Sequence, residues 1–422
     1  MGRLHLLAIC LLLALLPACT KQRPKPVRHG EPQSVVPVAT TAPGAGAGAS
    51  GKLAGGNADF ACELYGKLCA DPGNVVLSPH GISEALAMAY AGAAGNTERE
   101  MAKALHLPVD QAKVPSAFAD LRGALGVGTY LLSANAVWTT GEVSLLPAYS
   151  ATLAESYGAE PKTLDMSNRQ RAADAVNAWA SKNTKGMIPQ VIVASDFPAL
   201  TGLVLTNAVY HKGEWQVRFD PKATASQAFH SPTGPVNVQM MFQKTKMQYA
   251  EGAGWQAVLL PYKDGDMSML VMLPAEGQLE EFEALLGPPK LSEVLGKLGM
   301  REVLLKLPRF TIEGWYDLNG ALVATGMPSA FDPGSADFSG IGGSAGDLWI
   351  HKVRHRARVE ADEKGTEAAA ATAVLVEMKA KAAPAQRPVE FTCDRPFLFI
   401  IRHNTSGAVL FLGRVSNPVG TR

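Results

Sequence analysis

The sequence predicts an α+β fold in one domain, because helical patterns dominate the first half of the chain and antiparallel hairpins dominate the second. Two hairpins give the clearest signal. Residues 263–266 and 403–407 are short polar stretches rich in turn-forming residues, and each is flanked by two apolar runs. No linker-like composition interrupts residues 57–422, so we predict that they form a single domain.

The N-terminus has the features of an export signal. Arg3 precedes an apolar run over residues 6–16 that is too short to span a bilayer comfortably, which predicts a signal peptide over residues 1–18. The run ends in a stretch that resembles a bacterial lipobox, in which Cys19 would be lipidated, and a plain secretory signal is the alternative. Either way, we expect export, with a membrane reached only through lipid on Cys19.

The segment that follows predicts a tether. Residues 19–56 are rich in Pro, Gly, Ala, Thr and Ser, a composition that favours a flexible linker carrying the lipid. Asn57 is then predicted to cap a first helix with apolar positions at Phe60 and Leu64, and residues 71–73 end it.

A buried strand and a second helix are predicted next. Residues 75–77 are apolar, and Ser78 has the side chain of an N-cap with Pro79 in the first helical turn. In the centre of the chain, residues 131–138 and 203–210 are apolar runs typical of central strands, and a helical pattern lies between them.

Composition and charge exclude several classes of function. The chain has 422 residues, is 47% hydrophobic and 18% charged, and carries a formal net charge of +1. This balance gives no argument for nucleic acid as a partner. The sequence has no phosphate loop, dinucleotide fingerprint or paired-cysteine zinc signature, so no cofactor and no metal are predicted.

The cysteines predict no disulfide. Cys10 would leave with the signal peptide and Cys19 would carry lipid, so three remain. Cys62 and Cys69 are separated by about 10 Å along a helix axis, too far for a disulfide without distortion. We predict that these two and Cys393 are buried small hydrophobic residues.

Two motifs suggest chemistry but lack the required context. Residues 342–346 match the hydrolase pattern G-x-S-x-G, but the strand and helix that should flank Ser344 are not predicted, so a hydrolase is a third hypothesis only. His351 and His355 are four residues apart, yet the stretch is β-like and no carboxylate or cysteine completes a ligand set.

The most informative segment is residues 363–376. Along an extended strand, one of its faces would be small and uncharged, whereas the other carries Glu367, Glu377 and Lys379. Such a segment could enter a sheet with its uncharged face down, although alanine runs also favour an exposed helix. The uncharged face consists of Thr366, Ala368, Ala370, Thr372, Val374 and Val376.

The chain from about residue 57 to 418 resembles a serpin through landmarks that occur in the family's order. The segment 207–215 is similar to the family's N-A-x-Y-F-K-G-x-W motif, with His211 in place of its aromatic residue. The landmarks are residues 74–79, 207–215, 238–241, 307–310, 336–341 and 363–368, followed by 394–399.

The resemblance implies a fold and a mechanism. It implies a large mixed main sheet, two further antiparallel sheets, surrounding helices and an exposed reactive loop at about residues 363–390. In serpins a protease attacks this loop, and the cut loop inserts into the main sheet as a new strand and traps the acyl-enzyme. The hinge of that loop would consist of Glu363, Gly365, Thr366, Glu367, Ala368, Ala369, Ala370, Ala371 and Thr372.

The resemblance also assigns two clusters beneath and beside the sheet. Ser78, Asn207 and His355 occupy the positions of the family's shutter, a polar cluster that holds the sheet closed. Gly81 stands where the family usually has a second serine. Trp215 matches the tryptophan of the breach, where insertion begins, and a plain core aromatic is the alternative.

Counting about fourteen residues past Gly365, as in serpins, places the reactive bond at Lys379–Ala380. The bond Lys381–Ala382 is a rival and Met378–Lys379 a lesser one. A lysine before the cut bond favours a trypsin-like serine protease as covalent partner. We therefore expect a monomeric inhibitor that is not an enzyme; the alternative is a non-inhibitory serpin-fold protein with a binding or structural role at the surface.

Overall fold

A computed structural model describes residues 35–44, 48–126, 131–140, 143–159, 161–197, 202–211, 213–365 and 387–420. The predicted signal peptide, Cys19 and most of the reactive loop lie outside these ranges. Among the described residues, no helix combines the length and apolar character needed to cross a membrane.

Helices and strands follow the predicted order. The α-helices are α1 Gly48–Leu68, α2 Pro79–Tyr90, α3 Gly95–Ala104, α4 Val114–Leu125, α5 Pro147–Thr152, α6 Arg169–Asn183, α7 Leu279–Ala284, α8 Pro288–Gly296 and α9 Asn319–Ala324. The strands are β1 Val75–Leu77, β2 Leu131–Thr140, β3 Lys162–Leu164, β4 Gly202–His211, β5 Ala225–Ser231, β6 Gly234–Gly252, β7 Trp255–Pro261, β8 Met267–Pro274, β9 Gly299–Pro308, β10 Phe310–Asp317, β11 Ile350–Ala361, β12 Val389–Thr392, β13 Phe397–His403 and β14 Val409–Val415. The α+β class is confirmed, as are both predicted hairpins, β7–β8 and β13–β14.

A five-stranded mixed sheet has the order β10–β11–β4–β2–β3. The pairs β4–β11 and β2–β3 are parallel, whereas the other two pairs are antiparallel. The apolar sequence of β4, with all of its residues buried, explains why it takes a central place in this sheet.

The other described strands form a nine-stranded sheet in the order β1–β14–β13–β8–β7–β6–β9–β12, with β5 paired to β6. The resemblance implies two further antiparallel sheets, whereas in the structure these strands are joined into one continuous sheet. The 19-residue strand β6 pairs with β5, β7 and β9 along its length and so joins what would otherwise be two sheets. Only the β9–β12 pair of this described sheet is parallel.

Helix α2 is buried along its entire length between the two sheets. It packs against β2 and β4 of the five-stranded sheet and against β14 of the nine-stranded sheet. As predicted, Ser78 caps it: the serine hydroxyl accepts a hydrogen bond from the N–H of Gly81 at 3.3 Å, and Pro79 follows in the first turn. The many small residues of α2 allow this close packing on both sides.

Helix α1 begins nine residues before Asn57, the predicted cap residue. Asn57 lies inside the helix, where its side-chain oxygen accepts a hydrogen bond from the N–H of Val409 at 2.9 Å. The small residues that favoured a tether instead permit close packing. A Cβ at Gly56 would lie 2.0 Å from the carbonyl oxygen of His106, and one at Gly55 would lie 2.8 Å from Gly44.

Residues 35–44 also pack on the domain. Val35 is buried, and the N–H of Thr41 donates to the carbonyl of Asn404 at 3.0 Å. The described part of the predicted tether therefore belongs to the folded body, and the domain extends to lower residue numbers than the predicted boundary at residue 57.

Candidate functional site

A parallel seam divides the five-stranded sheet near its middle. Strands β4 and β11 are direct neighbours, with cross-strand partners running from Leu203 opposite Ile350 to His211 opposite Val359. Asn207 and His355 face each other within this register. Both strands continue toward the same end of the sheet, so the chain that leaves β11 at Ala361 emerges beside the end of β4.

Strand β11 has two different faces. Its inner residues, including Val353, His355 and Ala357, are buried, whereas the arginines that alternate with them are half-buried on the outer face. The interleaved arginines make ion pairs: Arg356 contacts Glu313 at 2.9 Å, and Arg358 contacts the same carboxylate at 2.9 Å. This alternation explains the His and Arg pattern of residues 351–358 without a metal.

The three predicted shutter residues do meet beneath the seam. The N–H of Ser78 donates to Nε2 of His355 at 3.0 Å, and Nδ1 of His355 lies 2.5 Å from the side-chain oxygen of Asn207. Because Nε2 accepts, the proton of the neutral ring sits on Nδ1 and is donated to Asn207. Complete burial lowers the pKa of His355 to about 3, so the ring is neutral at ordinary pH.

Sequence reasoning missed two further members of this network. The amide nitrogen of Asn207 donates to the side-chain oxygen of Asn135 on β2, and the amide nitrogen of Asn135 donates to the carboxylate of Glu84 on α2. Burial raises the pKa of Glu84 to about 7, although Arg122 and the hydrogen bond from Asn135 act in the opposite direction. A directional chain of donors therefore runs from Ser78 to Glu84.

The role of Ser78 differs from the one its hydroxyl would suggest. Its backbone N–H contacts His355, whereas its hydroxyl caps α2. Gly81 is explained by the same packing. A Cβ at this position would lie 2.6 Å from the amide nitrogen of Asn207 and 2.8 Å from a methyl group of Val209. The glycine thus leaves room for Asn207 in the network.

A Gly81→Ser variant, which introduces the residue usual in the family that the sequence resembles, is expected to destabilise this chain. Its side chain would overpack Asn207 and Val209, which costs about 1–3 kcal/mol of the free energy of unfolding. Urea unfolding followed by circular dichroism measures the loss. Gly66→Ser is the matched control, because nothing lies within 4 Å of a Cβ there. Equal stability of Gly81→Ser and the wild type would contradict the packing argument.

The predicted breach residue Trp215 holds the chain that leaves β11. Its indole N–H donates to the carbonyl of Asp362 at 2.8 Å, and its backbone N–H donates to the carbonyl of Lys364 at 3.2 Å. The indole also stacks on Tyr262, with ring centroids 4.8 Å apart and planes at 9°. Trp215 is therefore both a core aromatic and an anchor for the segment before the hinge.

Glu363 and Gly365 fix the first turn of the predicted hinge. The carboxylate of Glu363 accepts hydrogen bonds from Nε of Arg309 at 2.7 Å and from the hydroxyl of Thr224 at 2.5 Å. Although burial alone would raise the pKa of Glu363, these donors hold it below its ordinary value. Gly365 has φ +82°, and a Cβ there would lie 2.2 Å from the nitrogen of Trp215.

The outer face of the seam is covered by α6 and the segment that follows it. Helix α6 packs its apolar face on β2 and β4, and its cluster includes Val176, Ala208 and Tyr210. Beyond the helix, Asp196 pairs with Arg354 of β11, with a hydrogen bond of 2.8 Å to Nε. This segment therefore connects the β4 side of the seam to the β11 side.

The other predicted residues have simpler environments. Ser344 lies in a loop, as predicted, and its backbone N–H donates a hydrogen bond to the carboxylate of Asp347 at 2.7 Å. Among the described residues, no group of three or more His, Cys, Asp or Glu side chains could hold a metal. Residues 366–386, which include Thr366–Thr372, Lys379, Ala380, Lys381 and Ala382 of the prediction, lie outside the described part, as does Cys19.

The cysteines differ from the prediction in one respect. Cys393 is buried, but Cys62 and Cys69 are only partly buried, and all three are free thiols. Burial and the nearby Asp59 raise the pKa of Cys62 to about 12, so this thiol stays protonated.

Comparisons with known proteins agree with this geometry. A family model described as serpin (serine protease inhibitor) matches residues 55–418. A serpin-like protein of Thermococcus kodakarensis is 38% identical over 85% of this chain and 84% of its own. The human leukocyte elastase inhibitor is 35% identical over 87% of this chain and its full length. The crystal structure of Serpin48 from the insect Tenebrio molitor superposes with a TM-score of 0.77 at 28% identity, covering 87% of this chain and 98% of that one.

Proposed function

Because the chain belongs to the serpin family, we propose that it is an irreversible suicide inhibitor of trypsin-like serine proteases. Serpins inhibit serine proteases and are not catalytic enzymes, and relatives at 35–38% identity carry the name leukocyte elastase inhibitor. The proposal adds three points to family membership: the loop-insertion mechanism, the class of protease and the covalent complex.

One observation carries the mechanism: the parallel seam between β4 and β11. A strand that turned back after Gly365 would run antiparallel to both neighbours if it entered the seam. One parallel pair would then become two antiparallel pairs, which are slightly more stable per residue and add a full set of backbone hydrogen bonds. Insertion of the loop as a new strand would therefore stabilise the sheet.

The reaction would begin at Lys379, the residue before the predicted reactive bond. The protease serine attacks the carbonyl of Lys379, the bond to Ala380 breaks, and the new amino terminus leaves while an ester joins Lys379 to the protease. The segment from Thr366 onward then enters the seam with its uncharged face toward α2. Insertion moves the attached protease before the ester is hydrolysed, which would leave the enzyme acylated.

Opening the seam separates groups that are now in contact. Asn207 and His355 are cross-strand partners, so an inserted strand would move them apart and break the hydrogen bond between them. The ion pair between Asp196 and Arg354 also bridges the seam on its outer face. These contacts stabilise the closed sheet until cleavage frees the loop, and so they oppose premature insertion.

The protease class rests on lysine before the reactive bond, since a carboxylate in the specificity pocket of trypsin-like enzymes pairs with a lysine ammonium. The cellular setting rests on the N-terminus: we propose export as a monomer, with lipid on Cys19 as the anchor. The alternative function is a serpin-fold protein that only binds or supports a surface; it has no need of the small, uncharged face at residues 366–376.

Incubation of the purified chain with trypsin tests the proposal. We expect a covalent complex that survives denaturing electrophoresis, together with a C-terminal fragment whose first residue is Ala380. Leukocyte elastase is tested in parallel because relatives carry its name. Capture of elastase but not trypsin would overturn the trypsin-like specificity, and simple cleavage without any complex would favour the non-inhibitory alternative. Hydrolysis of an ester substrate that disappears in Ser344→Ala would favour the hydrolase hypothesis.

A Lys379→Ala variant is expected to lose trypsin inhibition, because the specificity pocket of the protease would face a methyl group instead of an ammonium. We expect the second-order rate constant of inhibition to fall by about 10⁴-fold. The matched control is Lys381→Ala, which removes the same charge two residues away and should retain inhibition. The reverse outcome, inhibition lost only in Lys381→Ala, would move the reactive bond to Lys381–Ala382.

A further inference from the structure

A cavity of about 460 Å³ opens beside the far end of the shutter network. It lies among α2, α4, β2, β3, α6 and the π-helical turn at residues 153–157. This volume is within the range of small-molecule sites in proteins. Unlike the parallel seam, the cavity has no role in the proposed inhibition mechanism.

The deep end of the cavity has two buried polar groups. Glu84 is 5% exposed, and one of its carboxylate oxygens accepts the hydrogen bond from Asn135. Tyr157 is also 5% exposed, and its hydroxyl has no hydrogen-bond partner among the described residues. A buried hydroxyl without a partner is rare, because it forfeits hydrogen bonds that it would make in water. A ligand that filled this cavity could supply the partner.

The more exposed side of the cavity carries two cations. Arg122 and Lys162 line it and are half-buried. Among the described residues, neither makes a direct ion pair with a carboxylate, although the charge of Arg122 acts on Glu84 at longer range. Arg122 is positioned by close packing, since a Cβ at Gly158 would lie 2.8 Å from its guanidinium nitrogen. Trp179 adds an aromatic wall.

From this arrangement we propose that the cavity binds a small acidic amino acid. An ammonium group would contact the Glu84 carboxylate and the Tyr157 hydroxyl, and two carboxylates would contact Arg122 and Lys162. Two cations and one carboxylate in the protein are complemented by two carboxylates and one ammonium in the ligand, so that the site becomes neutral on binding.

Asn135 connects this site to the sheet. It contacts Glu84 on the cavity side and Asn207 on the shutter side. An ammonium beside Glu84 favours the ionised carboxylate, which is the better acceptor for Asn135. The ligand also joins side chains of four elements, α2, α4, β3 and the turn at residues 153–157, in their closed arrangement. The bound ligand therefore favours the closed sheet and slows loop insertion. This coupling, unlike the binding itself, rests on the proposed inhibitory function.

Calorimetric titration of the purified chain with L-glutamate tests the binding, at about pH 8, above the pKa of about 7 for Glu84, so that its carboxylate is mostly ionised. We expect one site per chain and quenching of tryptophan fluorescence that is absent in Trp179→Phe. N-acetyl-L-glutamate lacks the ammonium and 4-aminobutyrate lacks one carboxylate, and each should bind at least about tenfold more weakly.

Two variants test the residues. Glu84→Gln and Tyr157→Phe should each weaken L-glutamate binding by about tenfold or more. Tyr157→Phe removes one oxygen atom that has no hydrogen-bond partner among the described residues, so this variant tests the site even if Glu84→Gln fails to fold. The control is Glu155→Gln, an exposed carboxylate on the same turn, which should bind normally. Absence of binding up to about 10 mM, or binding as tight as that of the wild type in both variants, would overturn the site.

The coupling has a separate measurement. Saturating L-glutamate should raise the number of inhibitor molecules consumed per trypsin trapped, because slower insertion lets more acyl-enzyme hydrolyse. Binding with an unchanged stoichiometry would overturn the coupling and leave the site intact. If the chain traps no protease, the proposed function fails, and the calorimetric titration still decides the site.

Discussion

A Thr366→Arg variant is expected to be cut by trypsin as a substrate and to trap almost none of it. Thr366 would be the first residue of the reactive loop to enter the seam, on the face directed toward α2. That side of the sheet is apolar apart from the shutter network, with Val353, Ala357 and Val209 buried there. A guanidinium buried among them without a partner costs several kcal/mol, so insertion slows and the acyl-enzyme hydrolyses first.

The matched control is Glu367→Arg. This variant adds the same side chain one residue later, where the strand alternation directs it to the outer, charged face. It should retain the covalent complex and a stoichiometry of inhibition near that of the wild type. Band intensities on denaturing gels at increasing inhibitor-to-trypsin ratios measure both variants. A Thr366→Arg protein that traps trypsin as efficiently as Glu367→Arg would remove the basis for loop insertion.

Much of the fold could be predicted because its signals are local. Strand β4 is apolar except for Thr206, Asn207 and His211, and both hairpins have turn-forming residues between apolar strands. The start of α2 was marked by Ser78 and Pro79, and the structure shows that cap in place. Each of these features depends on neighbouring residues, so it can be read from a short window of sequence.

The extent of the domain could not be predicted from composition. Glycine and alanine at residues 44–56 favour both a flexible linker and a tightly packed helix, and only the partner surface decides between them. Here the partner includes the carbonyl of His106, which leaves no room for a side chain at Gly56. The same limit applies to Gly81. The sequence shows that a serine is absent there, but it does not show that Asn207 lies too close for a side chain at this position.

The outer members of the shutter network were beyond sequence reasoning for a similar reason. Glu84 occurs in a helix whose pattern gives no sign that a carboxylate faces the interior. Asn135 looks like an ordinary polar residue in an apolar strand. They become a pair only because α2 crosses beneath β2, which brings residues 51 positions apart into hydrogen-bonding contact. The resemblance to serpins supplied Asn207 and His355, whereas the extension toward Glu84 required the structure.

The network also predicts how the stability of the closed form depends on pH. His355 has a pKa of about 3 in the folded chain against an ordinary value of 6.5. Between those values the unfolded chain binds a proton that the folded chain excludes, so the free energy of unfolding falls as the pH is lowered. Burial and the nearby His403 lower the pKa of His80 to about 4, and this histidine acts in the same direction.

Glu84 acts against the histidines. Its pKa is raised to about 7 from an ordinary 4.5, so the folded chain binds the extra proton in that window and gains stability as the pH falls. Near pH 5 the two histidines and Glu84 therefore contribute with opposite signs. Of these groups, only the histidines destabilise the folded chain in acid, and His355 is the one that contacts both sides of the seam.

Replacing His355 by Gln should therefore flatten the acid dependence of stability. We expect the slope of the free energy of unfolding against pH, between about pH 6 and 4, to fall by about 1.4 kcal/mol per pH unit. The slope is the decisive quantity, because Gln also alters the hydrogen bonds to Ser78 and Asn207 and so lowers stability at every pH. Urea unfolding at several pH values measures it, and His230→Gln, at an exposed position of β5, is the control. Parallel slopes for wild type and His355→Gln would mean that the shutter histidine is not the group that makes the closed sheet sensitive to acid.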